Sequence, residues 1–199
     1  MRLIVIEIET TGISPEDGDK IVEIGAIAIE HGKIHPDDTF HRFVDPQREI
    51  PREISQIHGI DAALLAAKEA RPFAEIGTEF LAFIAGSTLV FHNAKFDLGF
   101  ITKALADAGL PNIDDMPVID TLTMARQCFP KQRHNIEALC DLLEIDRNHI
   151  ESFDALTEAT LIARCFIVLI NQSSQQAAGN ETPRDSTDAP KARVADAHR

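Results

Sequence analysis

Leu3-Ile4-Val5-Ile6-Glu7-Ile8-Glu9-Thr10-Thr11-Gly12 decides how the rest of the chain is read. The apolar, β-branched run from Leu3 to Ile8 predicts a strand buried on both faces. Side chains alternate along a strand, so Glu7 and Glu9 share one face at its end. Burying two like charges there is costly unless a cation neutralises them. One reading is therefore a metal role; the other is an edge strand with a solvated face. The uninterrupted Leu3 to Ile6 run argues against the second.

Working outward, Ile21 to Glu30 and Thr39 to Val44 read as two more strands. Gly12-Ile13-Ser14-Pro15 and His31-Gly32 supply turn signals between them. Three short consecutive strands predict an antiparallel meander. Pro72 to Ile84 has helical periodicity, Ser87 to Phe91 is a short buried strand, and Ala94 to Ala108 is a helix closed by Gly109 and Pro111. Pro117 to Ile119 gives a fifth strand, and Asp120 caps a helix to about Cys128. Asn135 to Leu143 is another helix. Phe153 to about Ile170 is the last, with Leu156, Ala159, Ala163, Ile167 and Ile170 on one stripe. Strands that first follow one another and then alternate with helices predict an α/β domain over residues 1–170: a mixed five-stranded sheet with helices on both faces. From about Asn171 to Arg199 the chain turns to Gln, Ser, Asn, Pro and Asp, and is expected to be disordered.

The 199 residues, 44% hydrophobic and 26% charged, suit one domain with an appendage. The richest apolar stretch, Leu161 to Ile170, is short and interrupted by Arg164, so no membrane span is expected. Glu7 and Glu9 break any secretory pattern. Cys128, Cys140 and Cys165 are an odd set without paired spacing, read as buried free thiols in a reducing cytoplasm. The net charge is -13, and the segment from Asn171 onward is neutral, with four acids and four bases. The folded body carries the whole excess and repels polyphosphate at long range, which makes it a poor candidate for a non-specific duplex binder. Either nucleic acid is not the partner, or it is held at a metal-loaded cleft while another subunit supplies a basic track.

Further groups are candidates for chemistry. Glu9-Thr10-Thr11-Gly12 turns sharply, placing backbone N–H groups beside the carboxylates in a way that suits a terminal nucleotide; a plain turn is the alternative. His92-Asn93-Ala94-Lys95-Phe96-Asp97 joins the fourth strand to a helix. Asp97 falls in the first helical turn, where the helix dipole alone favours a carboxylate; it reads either as a capping residue or as a third carboxylate beside the first strand. Glu158 lies near the start of the last helix, and periodicity does not separate a solvated Glu from a ligand.

Seven segments, IEIETTG, GDKIVEIGAIAI, FVDP, IHGI, LVFHNAKFDLGF, VIDTLTMARQCFPKQRHNIEALCDLLEID and FDALTEATLIA, fall in the order and spacing of the DnaQ-like (DEDDh) 3'→5' exonucleases. From about Arg2 to Ile170 the chain resembles that family, above all its proofreading branch, the epsilon subunits of bacterial DNA polymerase III. The resemblance implies an RNase H-like fold and two-metal hydrolysis of a 3'-terminal phosphodiester in single-stranded DNA. Four carboxylates would hold two Mg²⁺ or Mn²⁺ ions and a His would act as general base. By residue-for-residue carry-over the carboxylates are Glu7, Glu9, Asp97 and Glu158, and Phe153 stands where the His belongs. Thr10, Thr11, Gly12, His58, Asn93 and Phe96 would line the terminal-nucleotide pocket. A DNA polymerase catalytic subunit is the implied partner.

Three positions depart from that pattern. The family has Asp where this chain has Glu7 and Glu158, and a Glu reaches about 1.5 Å farther where catalytic geometry is held within roughly 0.5 Å. A phenyl ring at Phe153 accepts no proton, and a positioned base is worth about 10²–10⁴-fold in rate. His149 has the wrong spacing to replace it, and His134, beside the basic loop Lys131 to Arg133, reads as a surface residue. The competing expectations are an impaired exonuclease, a module of the same fold that grips a 3' end or a polymerase without cutting, and a nuclease of short RNA.

Overall fold

The computed structural model describes residues 1–148, 150 and 154–179. Its strands are β1 (Arg2–Thr10), β2 (Ile21–Glu30), β3 (Lys33–Asp45), β4 (Arg71–Pro72), β5 (Thr88–Phe91) and β6 (Val118–Asp120). Its helices are α1 (Arg52–His58), α2 (Ala62–Ala67), α3 (Phe73–Ile84), α4 (Ala94–Asp107), α5 (Thr121–Cys128), α6 (Ile136–Leu142) and α7 (Ala155–Gly179). The sheet order is β4-β3-β2-β1-β5-β6. The meander β1-β2-β3 is antiparallel, while β5 joins β1, β6 joins β5 and β4 joins β3 in parallel.

The sheet has six strands where the sequence predicts five. The addition, β4, is two residues long, too short for alternation to register, and its Pro72 is tolerated at a sheet edge. Helices α1 and α2 also escape the periodicity reading, being seven and six residues long. Their local signals are caps: Gly59 in the left-handed region at φ 76°, and the Asp61 carboxylate accepting from Leu64 N.

β1 is apolar at consecutive positions because both faces are covered. Ile4, Ile6 and Ile8 pack with Ile76, Phe80 and Ile84 of α3 and Phe100 and Ile101 of α4. Leu3 and Val5, with Ile27 and Val90, pack on Ala159, Ile162, Ala163 and Phe166 of α7. The far side of α7 buries Leu161, Cys165 and Leu169 against Ala125 of α5 and Leu139 and Cys140 of α6.

The stretch Ala155–Gln172 has a mean hydropathy of 1.3, long and apolar enough to cross a bilayer by composition. Its apolar side chains are the cover of the sheet instead. The expectation that no stretch reaches that length is corrected, because Arg164 interrupts the hydropathy without ending the helix. α7 also passes position 170 unbroken and continues to Gly179, so 171–179 are helical where composition predicts disorder. Once a helix is nucleated each added residue gains a bond, and Gln and Ala propagate well. The rest of the expected tail, 180–199, lies outside the described residues.

Candidate active site

The odd-numbered residues of β1 face α7: Leu3 and Val5 enter the core beneath that helix, and Glu7 and Glu9 continue the same face toward the strand end. Across the ladder Glu7 pairs with Gly25 and Glu9 with Glu23. The register slips after Glu9, where Thr10 pairs with Ile21. α7 starts directly on this face. A Cβ on Gly25 would lie 2.1 Å from Leu156 N and 2.2 Å from the Ala155 carbonyl carbon, so only glycine admits the approach. Asp154 caps the helix, accepting from Thr157 N at 2.8 Å, and Glu158 N donates to the Asp154 carbonyl at 3.0 Å. Glu158 therefore sits one turn into a helix whose start is pinned on β2.

Asp97 arrives from β5, the parallel neighbour of β1, through the first turn of α4. The turn into α4 is made at Asn93, whose φ of 81° suits Asn, and whose N–H donates to Asp120 Oδ1 at 3.1 Å. Asp97 is 1% exposed, and its Oδ1 is buried without a hydrogen-bond partner.

The electrostatics place these acids within reach of one another. Burial first, then the charges of Asp97, Glu158 and Glu9, push the half-buried Glu7 well above the carboxylate range. Burial, then Glu158 and Glu23, raise Glu9 to about 8. Burial raises Asp97 well above its ordinary value, with Asp120 and Glu9 adding to it. Glu158 is raised by burial and by Glu137, Glu23 and Asp154. Glu7, Glu9, Asp97 and Glu158 are thus brought together, and none of them pairs with a Lys or Arg among the described residues. Glu7 and Glu158 line a cavity of about 360 Å³ with His92, Asn93, His134 and Ile162. A larger cavity, about 560 Å³, lies elsewhere, between the end of β3 and α1–α2, and contains none of the four.

Among the described residues no three His, Cys, Asp or Glu side chains are set to close around one ion. The donor chemistry nevertheless fits hard divalent cations: all four groups are carboxylates, their mutual repulsion is uncompensated, and Asp97 Oδ1 has an unused lone pair in a buried position.

The turn after β1 is held internally. Thr10 Oγ1 donates to the Gly12 carbonyl at 2.5 Å, and Thr11 Oγ1 donates to Asp19 Oδ1 at 3.3 Å and accepts from Lys20 N at 3.0 Å. A Cβ on Gly12 would meet the Asp19 carboxylate at 2.2 Å. His58 Nε2 donates to the Thr10 carbonyl at 3.2 Å while Nδ1 accepts from Ile60 N at 3.0 Å, and burial lowers its pKa; it is the neutral Nε2–H tautomer. Asn93 and Phe96 border a depression of about 410 Å³ with Ile13 and Lys95, Phe96 resting on Phe100 at 5.0 Å. Thr10, Thr11, Gly12 and His58 form one neighbourhood, and Asn93 and Phe96 flank it through Ile13.

The family model described as "Exonuclease" (RNase T) matches residues 4–162. The chain belongs to this exonuclease family. It is 38% identical over 172 residues to the DNA polymerase III subunit epsilon of Rickettsia prowazekii (strain Madrid E), covering 85% of this chain and 74% of that one. It is 33% identical over 183 residues to the subunit of the same name from Escherichia coli (strain K12), covering 88% and 74%. Among solved structures, exonuclease X in complex with 5' overhanging duplex DNA superimposes with a TM-score of 0.67 at 25% identity, covering 86% and 93%. The nuclease domain of 3'hExo, a DEDDh family member bound to rAMP, does so at 0.70 and 15% identity, covering 86% and 92%, which supports the fold.

Within this exonuclease, Phe153 and His149 lie outside the described residues. One group absent from the sequence reading and one assigned there to the surface stand at the site. Glu23 is a carboxylate inside the apolar run of β2, the same signal that singled out Glu7. His134, expected at the surface, lines the cavity that holds Glu7 and Glu158, because its carbonyl accepts from His92 Nε2 at 2.6 Å and its Nε2 donates to the Phe129 carbonyl at 2.8 Å. The bond from His92 spans 42 residues, and no local pattern announces it.

Proposed function

We propose that this exonuclease is a metal-dependent, proofreading-type hydrolase that releases mononucleotides from single-stranded DNA 3' ends. The observation that carries the proposal is the uncompensated set Glu7, Glu9, Asp97 and Glu158, gathered from three elements beside the end of β1. These residues would hold two Mg²⁺ or Mn²⁺ ions, which when bound supply neutralisation of the phosphate and polarisation of the attacking water. The protein's own contribution is binding and orientation. The rigid Thr10-Thr11-Gly12 turn and the neutral His58 would seat the terminal nucleotide, with Asn93 and Phe96 on its other side. Phe153 offers no proton acceptor, so the chemical step runs without the family's base and is slower by about 10²–10⁴-fold.

The partners follow from the relatives: exonuclease X is bound to DNA in its structure, and the matched curated relatives are named as DNA polymerase III subunits. We place the present chain on a polymerase catalytic subunit in the cytoplasm, where the polymerase would supply the positive track that a body of net charge -13 lacks. The altered positions Glu7, Phe153 and Glu158 favour one second reading, a silent module that grips the 3' end without cleavage. Incubation of a 3'-labelled oligonucleotide with Mg²⁺ or Mn²⁺ separates them. Mononucleotide release supports the enzyme; binding without release at high protein supports the module.

A further inference from the structure

We infer that Glu23, which lies outside the carried-over catalytic set, is the positioning residue that fixes Glu158 against Glu7 and Glu9. The inference rests on the metal-site reading above and goes beyond it by naming what builds the site. Glu23 is 1% exposed and directly opposite Glu9 in the β1–β2 ladder. A carboxylate so placed beside another is expensive unless its bonds are worth the repulsion. Glu23 has two. Its Oε1 accepts from His41 Nε2 of β3 at 2.6 Å, and its Oε2 accepts from Ala155 N, the first N–H of α7, at 3.1 Å. One side chain therefore ties the second and third strands to the start of the last helix.

Gly25, two residues along the same face, makes the tie rigid. Its missing side chain lets Ala155 and Leu156 rest on the strand backbone. The helix start is thus fixed by a charge-assisted bond to an otherwise orphan N–H and by a steric floor. Glu158 follows in the first turn, so its distance from Glu7 and Glu9 is set by those two contacts. The sequence pattern E-x-G in β2 (Glu23-Ile24-Gly25) is the linear trace of this device. Groups that orient metal ligands typically change metal affinity by about 10–100-fold when removed.

The test is Mn²⁺ binding, read by loss of the free-ion electron paramagnetic resonance signal, on folded full-length protein. Glu23→Ala is expected to weaken Mn²⁺ binding by about tenfold or more. Glu23→Gln keeps an acceptor for Ala155 N and, with His41 in its Nδ1–H tautomer, donates its amide N–H to His41 Nε2, and is expected to stay within about threefold of the parent. Ile76→Ala, a cavity on the opposite face of the sheet, controls for lost stability and is expected to bind like the parent. Equal affinity in Glu23→Ala and the parent overturns the inference and leaves the metal site standing. Equal loss in Glu23→Gln and Glu23→Ala overturns it too, by assigning the effect to charge. If the parent takes up no Mn²⁺, the series is repeated with Glu7→Asp, Phe153→His and Glu158→Asp in place. No uptake there overturns both the site and the inference.

Discussion

Glu7 stands directly opposite Gly25 in the antiparallel ladder, and the first turn of α7 lies on that glycine. A methyl group on Gly25 would collide with backbone atoms of Ala155 and Leu156, which cannot swing aside as a side chain can. Gly25→Ala is expected to cost about 1–3 kcal/mol in urea unfolding and to weaken Mn²⁺ uptake. Gly77→Ala meets the terminal carbon of Leu110, which can turn away, and is expected to leave Mn²⁺ uptake unchanged. Equal binding in the two variants would separate the helix start from the site.

The departures at three positions give a gain-of-function prediction. Glu7→Asp, Phe153→His and Glu158→Asp together are expected to raise the exonuclease rate by about 10²–10⁴-fold, the worth of a positioned base. The single changes are expected to restore far less than their product suggests, because such groups act as a unit. The measurement is initial nucleotide release from a single-stranded oligonucleotide. A folded triple variant as slow as the parent would remove the cleft from the place assigned to it.

Crowded carboxylates add a pH dependence to stability, which is clear of the opposing effect of the buried His58 and His92 above their ordinary range. Burial raises Glu9 to about 8 from an unfolded value near 4.5, and Glu7, Asp97 and Glu158 move in the same direction. Between those two pH values the folded chain binds more protons than the unfolded chain, so stability falls as pH rises. The metal-free protein is expected to melt at a lower temperature at pH 8 than at pH 7, where His58 and His92 are already neutral, and saturating Mn²⁺ to reverse the loss. At 100 times Kd a single ion adds about 2.7 kcal/mol. Flat melting temperatures from pH 7 to 8 in EDTA would contradict the clustering.

Asp97→Asn separates the cost of the cluster from its use. An amide removes one buried charge and still offers an oxygen, so the metal-free variant is expected to melt above the parent at pH 8. Its response to Mn²⁺ is expected to vanish. Calorimetric scans with and without the ion check both halves.

The cysteines supply an independent check of packing. Cys140 and Cys165 are fully buried with their Sγ atoms 3.6 Å apart between α6 and α7, whereas Cys128 is half-buried, against the expectation of three buried thiols. The hydrogen bond with Cys140, then burial, push the Cys165 thiol up. One thiol of the three is expected to react promptly with Ellman's reagent, and the other two only on unfolding.

What could be read beforehand divides by range. β1 and the α4 and α7 regions were legible because apolar runs and helical stripes are local, and Glu7 and Glu9 stood out as charges where a buried strand should have none. α1, α2 and β4 were not, being too short for a pattern to repeat more than about once. The loop carboxylate Asp19, which closes the turn after β1 onto Thr11 and Arg48, was invisible for another reason. Its partners lie 8 and 29 residues away, and nothing in the intervening sequence marks the meeting. The same holds for Glu23 and Ala155, 132 residues apart.

That separation has a consequence during synthesis. Glu7 leaves the ribosome about 150 residues before Glu158, which at roughly 5–20 residues per second is about 8–30 s. Throughout that interval the Leu3 and Val5 face, joined later by Val90, has no lid. The nascent chain therefore carries an uncovered apolar plate and an unfinished set of acids until α7 docks.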